Sequence, residues 1–175
     1  MSIEEKIKSV VRDIPDFPKP GILFKDITPI LSDPILCGEI VDAFVSKFDG
    51  IKFDAIACVE ARGFFFGTLI AQRLQIPFIP IRKVGKLPYK TVSYEYSLEY
   101  GTATVEMHED AVKEGWNVLV HDDLLATGGT AAAAAELIKT KGTVAGFSFL
   151  VNLSFLDGEE KLKKYDAPSI SLVEY

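Results

Sequence analysis

The chain has 175 residues, 48% of them apolar and 25% charged, which suits one domain with a sizeable core and excludes a disordered chain. Its net charge of −6 argues against a grip on nucleic acid through a basic surface, so a phosphate-rich ligand would have to meet local cations and backbone amides. Cys37 and Cys58 form no C-x-x-C pair and have no histidine at metal-ligand spacing, which argues against a disulfide framework and a structural zinc site.

At the N-terminus, Ser2 and Glu5 have the spacing of a capping box. Ile3, Ile7, Val10 and Val11 recur at helical spacing, which predicts an amphipathic helix from residue 2 to about residue 13. Glu4, Glu5 and Lys8 stand where a signal peptide would carry an apolar run, and no stretch of about 18 apolar residues offers a membrane span. A soluble, cytoplasmic protein with neither nucleic acid nor membrane as a partner is expected. Pro15, Pro18, Pro20 and Gly21 predict an extended loop, and a second helix is predicted from Asp33 to Phe48.

From there the pattern changes. Ala55–Val59 is a short apolar run, as expected of a strand covered on both faces. Phe64–Leu74 reads as a helix and Pro77–Ile81 as a strand. Gly85–Gly101 is polar, rich in tyrosine and bounded by glycines; it reads as an exposed hairpin or flexible flap, with β propensity over Thr91–Tyr96. His108 is expected on a hairpin surface. Val118–Val120 is a third strand, followed by a helix through the five alanines 131–135 to about Lys141, with Gly142 as its stop. Val144–Leu153 and Ile170–Val173 complete the strands. Strands alternating with helices predict an α/β fold: one domain over residues 1–175, its mostly parallel sheet carrying helices on both faces.

The segment VLVHDDLLATGGT, from Val118 to Thr130, carries the chemistry. It reads as an apolar strand, two adjacent carboxylates, a Thr-Gly-Gly-Thr turn and a helix. Ligands of open parallel sheets bind at the carboxyl ends of the strands, where Asp122 and Asp123 would lie. Gly128 and Gly129 let backbone amides approach an anion, and the helix N-terminus adds unpaired N–H groups and a positive dipole end. Thr127 and Thr130 add hydroxyls. No lysine follows Gly129, so this is not the nucleoside-triphosphate loop. The acidic pair suits a sugar whose hydroxyls bond to carboxylates while its phosphate sits in the loop.

These residues resemble the signature that binds PRPP (5-phosphoribosyl 1-diphosphate) in the type I phosphoribosyltransferases, in the form that adenine-specific members carry. Other motifs follow in that family's order. Phe17–Leu31 (FPKPGILFKDITPIL) resembles its N-terminal base-binding hood, and Glu60–Phe64 (EARGF) its pyrophosphate loop. Ile81–Pro88 (IRKVGKLP) and Tyr96–Gly101 (YSLEYG) resemble the start and end of its flexible catalytic loop. His121 departs from the pattern, standing where the family usually has an aliphatic residue.

The resemblance implies a transfer of ribose 5-phosphate from PRPP to adenine, giving AMP and pyrophosphate, with Mg²⁺ held mainly by substrate and Asp122 and Asp123 nearby. It implies that Asp122 and Asp123 engage the ribose and that Ala126, Thr127, Gly128, Gly129 and Thr130 hold the 5-phosphate. Glu60, Ala61, Arg62 and Gly63 would form the pyrophosphate loop, with a cis Glu60–Ala61 peptide, and Arg82, Lys83 and Lys86 would add cations. Phe24 and Leu124 would sandwich the base, backbone atoms near Lys25 would read its amino group, and Glu99 would act as acid or base at the purine N7 edge. On this reading Gly128 is ligand machinery whose substitution leaves the fold intact. A homodimer is expected, because a single helix face cannot hide the consecutive Phe64, Phe65 and Phe66.

Taken singly, several of these residues have plainer readings: Arg62 as a surface salt bridge, Glu99 as a loop residue, Phe24 as core. Only their motifs favour function. Two other functions share the ribose and phosphate machinery: a transferase for another base, such as hypoxanthine, guanine, xanthine or orotate, and a non-catalytic PRPP-sensing regulator.

Overall fold

The computed structural model describes residues 1–98 and 100–175. The first helix, α1 (Ile3–Val10), carries the predicted capping box: Ser2 Oγ accepts from the Glu5 N–H at 3.2 Å and the Ser2 N–H donates to Glu5 Oε2 at 2.7 Å. It ends earlier than helical spacing predicts. Val11 is already extended (φ −58°, ψ 132°), and Pro15 disfavours helical geometry at the residue before it. The chain passes instead into β1 (Arg12–Pro15), which pairs antiparallel with β2 (Leu23–Asp26). The proline-rich loop is thus the connection within a two-stranded sheet separate from the main one, and Arg12 and Asp13, predicted as the end of the helix, belong to its first strand. After a 3-10 turn at Thr28–Ser32 comes α2 (Pro34–Lys47), capped by Asp33, whose carboxylate accepts from Ile35 and Leu36.

The main sheet holds seven strands: β3 (Ala55–Val59), β4 (Phe78–Lys83), β5 (Thr91–Ser97), β6 (Thr102–His108), β7 (Asn117–Leu125), β8 (Thr143–Asn152) and β9 (Ser169–Glu174). Their spatial order is β5-β6-β4-β3-β7-β8-β9. The five strands from β4 to β9 run parallel, while β5 and β6 form an antiparallel hairpin on the β4 edge. The hairpin was legible as far as β5; its return strand β6 was not, and His108 lies half-buried at the end of β6 rather than on the surface. Strand β7 also runs through the acidic pair to Leu125, because β8 gives it a ladder partner as far as Leu125↔Asn152.

Helices α3 (Gly63–Leu74) and α4 (Gly129–Ile138) follow β3 and β7, and the short α5 (Gly158–Leu162) follows β8. Alternation along the strands sends Ala55 and Ala57 to the face under α4, and Ile56 and Cys58 to the face under α1, α2 and α3. All five alanines of α4 are buried, which lets its backbone lie close on the sheet. The helix ends three residues before Lys141, where 3-10 bonds from Thr140 to Leu137 and from Lys141 to Ile138 tighten the last turn. Of the three phenylalanines on α3, Phe66 is fully buried and Phe64 packs its edge on Phe78 at 5.4 Å, which leaves Phe65 37% exposed.

Topology dictates where a ligand can sit. From β3 the chain moves outward to β4; from β7 it moves the other way, to β8 and β9. The order reverses between β3 and β7, and the helices that follow these strands lie on opposite faces. Their carboxyl ends therefore open a crevice between diverging loops.

His121 points into the core. It is fully buried, meets Ser148 Oγ through Nδ1 at 2.8 Å and sets its ring edge-on to Phe44 at 5.5 Å. Among the described residues Nε2 has no hydrogen bond. Burial holds the ring neutral, with its pKa pushed down to about 3. The unfolded chain takes up this proton below about pH 6.5 and the folded chain does not, so stability falls as pH drops from 6.5 towards 3. Between pH 6.5 and 4.5 this amounts to roughly 2–3 kcal/mol. His121→Val should flatten that acid limb. Denaturant unfolding of both proteins at pH 7 and pH 4.5 checks it, and parallel losses would show that His121 does not set the slope.

Candidate active site

Asp122 and Asp123 stand at the end of β7, the first half-buried and the second 3% exposed. Asp122 Oδ1 accepts the Asp123 N–H at 2.8 Å. Burial, and then the charge of Asp123, push Asp122 well above the usual carboxylate range. Burial raises Asp123 too, while the Arg62 guanidinium pulls it back. Arg62 Nε lies 3.0 Å from Asp123 Oδ2. The contact is Coulombic only: the N–H is misdirected, and Oδ2 has no hydrogen bond among the described residues.

The loop that follows the pair turns into α4. Gly128 has φ 78° and ψ 0°, and no side chain caps the helix, so its first N–H groups are left for solvent or ligand. Asp122 and residues 124–131 line one cavity of about 80 Å³. Thr127 is exposed and Thr130 half-buried. Gly128 departs from expectation in one respect. A Cβ there would lie 2.5 Å from the Gly158 carbonyl oxygen, and a Cβ on Gly158 would strike the Ala126 carbonyl. Gly128→Val therefore disturbs the fold as well as the loop, and the expectation that it spares the fold is withdrawn.

The loop after β3 meets the same crevice. The Glu60–Ala61 peptide is cis, as the family resemblance implies. A Cβ on Gly63 would stand 3.0 Å from Asp122 Oδ1 and 3.2 Å from its Cα, so the start of α3 lies directly against the acidic strand. Glu60 braces the neighbouring loop: its carboxylate accepts from the Lys83 N–H and pairs with Arg82 at 3.2 Å. Burial would raise the Glu60 carboxyl, yet these two donors bring it below its usual value. Arg82 also donates to the Lys86 carbonyl at 3.3 Å. Arg82 is thus engaged within the chain, whereas the side chains of Lys83 and Lys86 are exposed and form no ion pair among the described residues.

Phe24, on β2, is half-buried, with Phe17 edge-on at 5.1 Å and the Arg62 guanidinium 4.8 Å over its ring. Lys25 spends its ammonium on Asp13 at 2.6 Å and on the Tyr175 ring at 3.9 Å, which leaves its backbone as the available part. Leu124 is half-buried beside the acidic pair. Glu99 lies outside the described residues.

Two residues escaped the sequence reading. Glu106, on β6, is 4% exposed and accepts from Gly85 N–H at 3.0 Å, Leu87 N–H at 3.4 Å and Thr91 Oγ1 at 3.2 Å, so one carboxylate ties both ends of the loop that carries Lys86. Its signal was present but misleading. Ala103, Val105 and Met107 alternate with polar neighbours, so Glu106 reads as a solvated face until the hairpin register is known. Tyr96, on β5, brings its hydroxyl 3.1 Å from Thr130 Oγ1.

The crowded carboxylates generate a prediction. Because the folded pKa of Asp122 is raised, its favourable contribution to stability is complete below about pH 3.8 and is lost as pH rises through the folded value. Asp122→Asn should then stabilise the fold at pH 8 on the order of 1–2 kcal/mol, or about 3–6 °C for a chain of this size. The gain should shrink towards zero near pH 4. Thermal unfolding across that range measures it, and a variant less stable than wild type at pH 8 would contradict the electrostatic account.

Residues 30–171 match the family model described as the phosphoribosyl transferase domain. An adenine phosphoribosyltransferase of Cytophaga hutchinsonii is 56% identical over 99% of this chain and 96% of its own length. The crystal structure of the corresponding enzyme from Thermoanaerobacter pseudethanolicus superimposes with a TM-score of 0.94 at 51% identity, covering 98% of this chain and 99% of that one. The Saccharomyces cerevisiae enzyme, solved with adenine and an imino-altritol bisphosphate, gives 0.91 at 38% identity, covering 97% and 98%. The chain belongs to the phosphoribosyltransferase family, and the relatives that it matches over its whole length are adenine phosphoribosyltransferases.

Proposed function

We propose that this chain transfers the 5-phosphoribosyl group of PRPP to adenine, releasing pyrophosphate and forming AMP, a purine-salvage reaction that uses Mg²⁺. The observation that carries this reading is the shared cavity of Asp122 and the glycine loop, which puts a carboxylate for the sugar beside a helix N-terminus for its phosphate. The full-length similarity to adenine phosphoribosyltransferases supports the choice of base.

Residues 126–130 would hold the 5-phosphate through backbone amides and the two threonine hydroxyls. Asp122 and Asp123 would receive the ribose hydroxyls. As the bond from C1 to pyrophosphate lengthens, the sugar gains positive charge, and the acidic pair favours that charge more than it favours the neutral sugar. Arg62 would leave Asp123 for the pyrophosphate, where its planar fork bonds two oxygens at once. Lys83 and Lys86 would follow from the loop that Glu60, Arg82 and Glu106 brace. Phe24 and Leu124 would flank the base, the backbone at Lys25 would read its amino group, and Glu99 would serve the N7 edge. The donor set fits a metal held mainly by substrate. No group of three His, Cys, Asp or Glu side chains that could hold a metal gathers among the described residues, while Asp122 at the cavity and its neighbour Asp123 would offer carboxylate oxygens to an ion bound chiefly through substrate phosphates. Bound there, it would neutralise the departing pyrophosphate.

Specificity tests the reading. A site that pairs with a 6-amino group leaves polar groups unpaired against a 6-oxo base. The kcat/KM for adenine should exceed that for hypoxanthine or guanine on the order of 10³-fold or more. Steady-state assays with PRPP, Mg²⁺ and each base decide it, and comparable values for hypoxanthine would sink the assignment to adenine.

The dimer belongs to the same proposal. Leu31 and Leu69, each 38% exposed, line a groove of about 590 Å³ between α2 and α3, and the same two helices leave Ile35 75% and Phe65 37% exposed. An apolar face of this kind suits a second copy of the chain related by a twofold axis. Sedimentation equilibrium at micromolar concentration should give twice 19.3 kDa. A monomer mass with full activity would rule out the dimer as a requirement.

A further inference from the structure

Tyr96 stands on the strand that leads towards the loop turn, yet it reaches the phosphate cradle. Its hydroxyl lies 3.1 Å from Thr130 Oγ1, and its ring carbon Cδ2 lies 3.6 Å from where a Cβ on Gly129 would stand. The ring packs on the core cluster beneath α4, so the hydroxyl is held by a half-buried side chain and not by a free surface one. Two hydroxyls at this distance share one hydrogen, and either can donate. The two directions stop being equivalent once an anion fills the cradle. Phosphate oxygens accept but do not donate at full charge, so Thr130 must turn its own hydrogen to the anion, and its oxygen is then left to accept.

We propose that Tyr96 is a positioning residue for the 5-phosphate: its O–H donates to Thr130 Oγ1, fixes the threonine rotamer and leaves the threonine hydrogen aimed into the cradle. A donor that is itself accepting a hydrogen bond is polarised and donates more strongly. The arrangement also ties the strand β5 to the loop at residues 126–130, so ligand in the cradle and the geometry of the hairpin are coupled through one bond. This inference rests on the functional reading above and goes beyond it by naming a residue outside the five-residue loop.

Tyr96→Phe keeps the ring and its packing and removes only the hydroxyl. Titration calorimetry with AMP, which carries the 5-phosphate, should show an affinity about fivefold weaker than wild type. In steady state the KM for PRPP should rise by a similar factor, while kcat and the KM for adenine stay within about twofold and Tm does not move. Because Tyr96 acts through Thr130, adding Tyr96→Phe to Thr130→Val should change AMP affinity by less than about twofold, the signature of a coupled pair. Unchanged AMP binding in Tyr96→Phe overturns the proposal. So does an equal rise in both KM values, or a full effect in the Thr130→Val background. A wild-type protein that binds neither AMP nor PRPP would instead overturn the functional reading itself.

Discussion

Two carboxylates on consecutive residues are held at the end of β7, one nearly buried, with a guanidinium 3.0 Å from one of their oxygens. Left alone, such a pair works against the fold, because burial and like charge both oppose ionisation. Arg62 relieves part of this, but its N–H is misdirected and one buried oxygen stays without a hydrogen bond among the described residues. The free protein therefore carries an unsatisfied demand for positive charge and for hydrogen-bond donors at one point. The proposed substrate, a polyhydroxylated sugar that becomes cationic as it reacts, would supply both.

The rest of the crevice is arranged around that point. Gly63 brings the start of α3 against Asp122, and Gly128 turns the chain so that the uncapped α4 begins on the other side. The two loops come from opposite faces of the sheet because the strand order reverses between β3 and β7. Cations enter from the third side, on a loop whose two ends are fastened to the single carboxylate of Glu106. Rigid elements thus flank the groups proposed for sugar and phosphate, while the exposed Lys83 and Lys86 lie at the end of β4 and on the braced loop after it.

Much of this was legible from residue order, for identifiable physical reasons. Buried parallel strands leave apolar runs, so β3 was read with its observed bounds, and β8 within one residue at each end. The strand, acidic pair, glycine turn and helix are contiguous in sequence, so the cradle could be read locally. What escaped depends on contacts between distant segments. Strand β1 pairs with β2 across the predicted proline-rich loop, and that pairing, not propensity, makes strands of Arg12 and Asp13, predicted as helix, and of Leu23–Asp26 beyond the loop. Strand β7 was read as ending at Val120, where its apolar run stops, yet pairing with β8 carries it on to Leu125. Glu106 and Tyr96 matter through register and reach, which no local spacing encodes. His121, conspicuous as a departure from an aliphatic pattern, is a neutral core residue bonded to Ser148.

The close approach of Gly128 and Gly158 bears on how portable the phosphate loop is. The five residues 126–130 look like a cassette that could be grafted onto any strand followed by a helix. Their conformation, however, presses the backbone at Gly128 against the carbonyl of Gly158, while Gly158 in turn has no room for a side chain beside Ala126. The unit to be moved is thus two backbone segments about thirty residues apart, joined through α4 and β8, and a designer who copied the signature alone would leave half of its supporting wall behind.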